Sequence, residues 1–124
     1  QCNLTGDWKN DLGSNMTISA VDQNGSFNGL YNTSVAVMPI KIQPSPLLGF
    51  QHLTNPIGQP TFGFTVNWTF SDSVTVFTGQ CFVDENGEEV LKTLWLLRAH
   101  ADKIEDDWKA TRVGTNVFHR LEEK

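Results

Sequence analysis

Between Pro60 and Cys81 the chain reads P-T-F-G-F-T-V-N-W-T-F-S-D-S-V-T-V-F-T-G-Q-C, and no other stretch restricts the fold as much. Phe62, Phe64, Val66, Trp68 and Phe70 fall on alternate positions, with Gly63, Thr65, Asn67 and Thr69 between them. A period of two marks a pleated strand with one buried face. Ser71-Asp72-Ser73 supplies a tight turn, and a second strand follows in which Val74 and Val76 share one face while Thr75 and Phe77 share the other. Apolar groups on both faces of a strand need a core behind and a cover in front. The pair predicts a sheet lined inside with aromatic rings and met outside by another subunit. The hydroxyls of Ser71, Ser73 and Thr75 fall where that lining ends.

The rest of the chain supplies six more strands. Gly6-Asp7-Trp8 opens the first, on which Trp8, Asn10, Leu12 and Ser14 share a face, and Gly13 marks the bend into Asn15–Val21. Asn24-Gly25 predicts a hairpin into Ser26–Thr33, which places Phe27, Gly29, Tyr31 and Thr33 together. Ser34–Pro39 is a loop of small residues suited to a lid. Ile40–Phe50 is extended but carries Pro44 and Pro46, which predicts a bent or edge strand. After the loop Leu53–Gln59 and the opening pair, Asn86-Gly87 gives a second hairpin turn into Glu89–Arg98. There Leu91, Thr93, Trp95 and Leu97 face one way and Leu94 and Leu96 the other. Ala99–Asp107 is acidic and suits one helical turn. Lys109–His119 closes the series, with Arg112, Gly114, Asn116 and Phe118 on one face and Val113, Thr115 and Val117 on the other. Eight strands on mostly short turns predict an all-β chain: one domain over residues 1–124, an eight-stranded antiparallel up-and-down β-barrel.

A net charge of −5 and a pI near 5.0 argue against nucleic acid or an anionic membrane as partner. The longest apolar run, Leu94–Leu97, is far short of the roughly 20 residues of a spanning helix. Gln1-Cys2 suits a mature, processed terminus. Pairing the only two cysteines, Cys2 and Cys81, closes a loop of about 80 residues, contributing roughly 4 kcal/mol; two free thiols are the alternative. Sequons at Asn3, Asn15, Asn24 and Asn32 are glycosylation candidates, whereas Asn67, read as mid-strand beside Trp68, is expected bare. These features predict a secreted, extracellular glycoprotein. No catalytic, metal or cofactor role is expected. His52, His100 and His119 lack metal-site spacing, and Asp84-Glu85, Glu88-Glu89 and Asp106-Asp107 fall at solvated turns.

What remains is a neutral polar set: Asn10, Ser14, Tyr31, Thr33, Ser71, Ser73, Thr75 and Asn116. Alternation puts each on a face shared with core aromatics. Such groups either satisfy one another and a few waters, or receive a flat, neutral ligand that both donates and accepts. Gly6-x-Trp8 resembles the lipocalin-like barrels, in which a late arginine packs over the tryptophan, and here the expected pair is Trp8 with Arg112. Trp68 and Trp95 are expected in the wall. Trp108 is expected in a loop, either as a surface cap or reaching into a neighbour.

Trp8–Thr17, Gln59–Trp68, Val76–Phe82, Glu89–Arg98 and Asp107–Asn116 together closely resemble the avidin family, and the likeness covers essentially the whole chain. It implies a streptavidin-like barrel, a homotetramer and biotin as ligand, sequestered without a cofactor. By the resemblance, Asn10, Ser14 and Tyr31 would converge on the ureido oxygen, and Thr33 and Asn116 would accept from the ureido N–H groups. Thr75 would approach the thioether. Trp68, Phe77, Trp95, Phe70, Leu12 and Leu97 would form the walls, with Trp108 closing the adjacent subunit's site. Ser71, Ser73 and backbone groups of Val35, Ala36, Val37 and Met38 would hold the carboxylate. The chain departs from the family in lacking threonines in that loop, in being acidic where the family is basic, and in carrying Thr115 at an apolar subunit contact. The competing readings are a lipocalin-like carrier of another small molecule, and a structural or assembly barrel whose pocket has drifted.

Overall fold

A computed structural model describes residues 1–33, 44–53 and 58–121. The strands are β1 (Gly6–Asn10), β2 (Asn15–Ile18), β3 (Ser26–Asn32), β4 (Ser45–Gln51), β5 (Thr61–Asn67), β6 (Ser73–Val83), β7 (Glu89–Ala99) and β8 (Thr111–Arg120). Each pairs antiparallel with the next, and β8 returns to β1, so the sheet closes into a barrel with no free edge. The helical turn expected after β7 is a short 3-10 helix, Ile104–Lys109.

Three hairpins share one turn chemistry. Gly13, Gly25 and Gly87 donate to the carbonyls of Asn10, Asp22 and Asp84, and each glycine has a positive φ. These are four-residue turns whose fourth residue is left-handed, not the two-residue form that Asn-Gly most often signals. The β1–β2 turn therefore takes Leu12 out of the strand expected to bury it, and Leu12 is 63% exposed. β5 similarly ends at Asn67, which is exposed rather than mid-strand, and Phe70 beyond it is 54% exposed.

β4 is not an edge and runs unbroken through Pro46, starting just after Pro44, while residues 40–43 of the expected strand lie outside the described residues. Pro46 lies opposite Leu30 of β3, but pairing with β5 starts only at Leu47, so a residue without an N–H is tolerated there. Ser45, fully buried, accepts from the Thr69 N–H at 3.1 Å and anchors the loop after β5.

The barrel is graded along its axis. Trp8, Met16, Ile18, Phe27, Phe62, Phe64, Leu91 and Phe118 fill the half where β1 begins. A disulfide between Cys2 and Cys81 ties the N-terminal segment across that floor. The other half holds the buried polar residues Asn10, Ser14, Ser45, Thr75 and Asn116.

Arg120, not Arg112, covers Trp8. Its guanidinium lies 4.0 Å from the ring centroid, because the β1–β8 register sets Trp8 opposite Arg120. Arg112 shares the alternation but sits opposite Leu97, eight residues away, or about 26 Å along the strand. Arg120 also donates to the carbonyls of Thr5 and Asn3 at 2.5 Å and to Glu89 Oε1 at 2.8 Å, while Glu89 Oε2 accepts from the Asn3 N–H at 2.6 Å. Burial pushes the Glu89 carboxyl up, but the Asn3 N–H and the Arg120 guanidinium outweigh it and leave it below its usual value.

Arg120→Ala should therefore lower unfolding stability by about 3 kcal/mol, from the lost ring contact and charged hydrogen bonds. Arg112→Ala should change it by less than about 0.5 kcal/mol in the same urea titration. Because the folded Glu89 value is depressed, its contribution is present above the unfolded carboxylate range and is lost as pH falls through the folded value. The stability gap between wild type and Glu89→Gln should thus close on acidification below roughly pH 4.

Candidate functional site

The polar half of the barrel starts from the β1–β2 turn. Asn10 Oδ1 accepts from the N–H groups of Leu12 at 3.0 Å and Ser14 at 2.9 Å. Asp84 does the same work in the β6–β7 turn, where its Oδ1 accepts from Asn86 and Glu88 at 2.9 Å. A carboxylate would serve equally well for the turn. An amide adds a donor: with its oxygen committed to two backbone N–H groups, Asn10 must direct its Nδ2 inward. There it meets the Tyr31 hydroxyl at 3.0 Å.

Tyr31 is the centre of the cluster. Its ring stacks on Phe77 at 5.7 Å and meets Trp68 edge-on at 5.2 Å and Phe118 at 6.3 Å. Clamped on three sides, the ring holds its hydroxyl in one place without ordering cost. Burial pushes the phenol up to about 12, against the opposing effect of hydrogen bonds with Ser14 and Asn10 and with a small further rise from the Asp11 charge. Tyr31 is thus a neutral donor at physiological pH. Asn10, Ser14 and Tyr31 come together: alternation puts Asn10 and Tyr31 on inward faces, whereas Ser14 reaches them from the turn beyond β1.

Thr75, buried on β6, accepts from Trp68 Nε1 at 2.8 Å and keeps its own proton for another partner. This bond fixes the Trp68 indole as a wall after β5 has ended. Phe77, on the same face two residues on, continues the lining and stacks on Phe64 at 4.7 Å. Trp95 lies opposite Gly114, where a Cβ would stand 2.2 Å from the indole Cζ2. Only glycine lets this ring lie flat against β8. The buried Trp95 Nε1 has no hydrogen-bond partner among the described residues. Thr33 and Leu97 are half-buried at the same end.

At the mouth, the Ser71 and Ser73 hydroxyls are 2.5 Å apart, beside a cleft of about 370 Å³ that also touches Asp72, Arg98 and His100. Phe70 does not line the interior but leans on Trp68 at 5.6 Å as part of the rim. Trp108 is within the 3-10 helix rather than a loop and is 81% exposed. Val35, Ala36, Val37 and Met38 lie outside the described residues.

Asn116 is buried on β8, and its Nδ2 donates to Asp11 Oδ1 at 2.8 Å. Asp11 and Ser45 are polar contributors that the alternation did not single out. Asp11 sits in a turn, where periodicity is silent. The shared spacing of N-D-L-G-S, D-Q-N-G-S and D-E-N-G-E, with glycine fourth in each, was the available signal.

Comparison with known proteins agrees with this geometry. The family model of the avidin family matches residues 1–121. Avidin of Gallus gallus is 63% identical over 121 residues, spanning 98% of this chain and 80% of the relative. Fibropellin-1 of Strongylocentrotus purpuratus is 32% identical over 98% of this chain, which matches only 11% of that much longer protein. Xenavidin superimposes with a TM-score of 0.91 at 57% identity, over 98% of this chain and 99% of its own. The biotin-binding protein from chicken gives 0.90 at 56% identity, over 98% of each chain. With a match that runs through the barrel from the disulfide to the last strand, the chain belongs to the avidin family.

Proposed function

We propose that the protein binds biotin non-covalently in the polar half of its barrel and sequesters it as a secreted homotetramer. The observation that carries this reading is the clustering of Asn10 and Ser14 at the Tyr31 hydroxyl, inside an aromatic wall. A urea carbonyl is a strong acceptor with two lone pairs, and neutral donors fixed in advance suit it without the cost of burying a charge. Thr33 and Asn116 take the ureido N–H groups, and Thr75 faces the thioether. Trp68, Phe77, Trp95 and Leu97 form the apolar walls around the bicyclic ring. Ser71 and Ser73, at the mouth, take the carboxylate together with the Val35–Met38 segment. The name of the structural neighbour from chicken, a biotin-binding protein, supports the same ligand. No step of bond making is required, and the site acts by complementarity alone.

The outer surface supports assembly. Val74, Val76, Leu94, Leu96 and Val113 form an exposed apolar face on β6–β8, and Leu30, Leu48 and Phe50 form another on β3–β4. Patches of this kind are rarely left to water. A homotetramer covers them and brings Trp108, exposed in the isolated barrel, over a neighbour's mouth. Thr115, opposite Leu94, puts a hydroxyl into that apolar contact. The disulfide fits an oxidising compartment, and the exposed sequon residues Asn3, Asn15, Asn24 and Asn32 are accessible for glycosylation.

Titration calorimetry with biotin tests the reading directly, and absence of both heat and a shift in melting temperature would reject it. Tyr31→Phe should weaken biotin binding by about 1–3 kcal/mol, the cost of one buried donor. Tyr31 is the only tyrosine, so its ionisation can be followed by ultraviolet absorbance alone. With the folded value raised to about 12 from 10.0, its contribution is intact below 10 and is lost as pH rises through the folded value. Stability should fall by roughly 3 kcal/mol across that window in the wild type and by much less in Tyr31→Phe. Trp108→Ala should cost about 2 kcal/mol or more in biotin affinity and also shift the tetramer toward smaller species in light scattering. Retention of both properties would place Trp108 outside the assembled site.

A further inference from the structure

Two asparagines face the polar half of the barrel, and their surroundings turn them in opposite senses. Asn10 has its oxygen held by the backbone N–H groups of Leu12 and Ser14, so its NH2 is presented inward. Asn116 has its NH2 held by Asp11 Oδ1 at 2.8 Å. A carboxylate offers acceptors only, so the Asn116 amide can satisfy it in one orientation alone. Asn116 Oδ1 is then the end left to face the interior.

Asp11 is well placed to impose this. It is the second residue of the β1–β2 turn, and its own N–H donates to the Val117 carbonyl at 3.1 Å, which fixes its backbone beside Asn116 across the β1–β8 seam. The Thr93 hydroxyl donates to the Asn116 carbonyl at 2.8 Å and steadies the same point of β8 from the other side. Asp11 itself is exposed, so its carboxylate remains hydrated while acting on a buried amide.

We infer that Asp11 is a positioning residue that fixes Asn116 as a hydrogen-bond acceptor and thereby sets the pocket's selectivity for a ligand N–H at that position. The inference rests on the biotin reading for the identity of the N–H, but the orientation of the amide does not. Without Asp11 the amide is free to turn, and one of its two orientations sets NH2 against the ligand N–H. That pairs a donor with a donor in a dry site. The two asparagines thus differ in function through their neighbours, not through their own chemistry.

The test has a ligand arm and a ligand-free arm. Asp11→Ala keeps the backbone N–H bonded to Val117 and should leave the thermal unfolding midpoint near wild type, while weakening biotin about tenfold, chiefly through faster dissociation. Of the two isomeric analogues in which one ureido N–H is replaced by a ring oxygen, one should bind wild type and Asp11→Ala equally. Asn116→Asp alone sets two carboxylates side by side and should bind poorly. Adding Asp11→Asn should restore binding, because the new amide can donate to the new carboxylate and leave an acceptor inward. Without ligand, the Asn116 side-chain NH2 should show two well-separated proton resonances by nitrogen-15 NMR in the wild type, with exchange protection that Asp11→Ala removes. An Asp11→Ala penalty that is the same for both analogues, or an Asn116 signal indifferent to Asp11, overturns the inference. Should wild type fail to bind biotin while the Asn116 signal depends on Asp11, the ligand reading falls and the positioning role stands.

Discussion

Everything in this barrel depends on the seam at which β8 meets β1. It is a short ladder, in which Trp8, Lys9 and Asn10 face Arg120, His119 and Phe118. Backbone bonds from Leu121 to Asp7 and from Asp11 to Val117 extend it at either end. A closed sheet removes every edge, but only if its last pairing holds. Arg120 reinforces the seam at one end by covering Trp8 and gathering the carbonyls of Asn3 and Thr5 with the Glu89 carboxylate. At the other end Asp11 bridges to β8 by its backbone and to Asn116 by its side chain. The contacts that close the barrel are thus continuous with those that furnish its polar interior.

The division of the interior follows from the same topology. Side chains at the floor are large and apolar, so that end can be dry and solid. The upper half replaces some of that volume with amides and hydroxyls, which remain buried because turn backbone and neighbouring rings satisfy and restrain them. Asn10 illustrates the economy: one side chain closes a turn with its oxygen and serves the interior with its nitrogen. Where the equivalent turn position has no inward duty, the residue is an aspartate, Asp84.

Alternation made most of this legible. The inward faces of β3, β5, β6, β7 and β8 follow directly from a period of two, which also places Asn10 and Tyr31 inward. It failed where strands ended. Leu12 and Phe70 keep the parity of wall residues, yet each lies past a strand terminus, where the pleat no longer dictates direction. Parity also could not choose between Arg112 and Arg120, which share a face. Only the register with β1, a property of two strands distant in sequence, selects Arg120. Alternation is silent on Asp11, because a turn residue has no face to be assigned to and its partner lies 105 positions away.

The interior of the polar half is built from neutral groups, and Tyr31 is held protonated to about 12 by burial. A carboxylate at position 116 would need a donor beside it to offset its desolvation, and next to the Asp11 carboxylate it would have none. Asp11 avoids this by remaining in the solvated turn and acting on the interior through the Asn116 amide. The amide relays the direction of the carboxylate without carrying its charge inward. A pocket organised in this way is strongly polar in pattern and still uncharged.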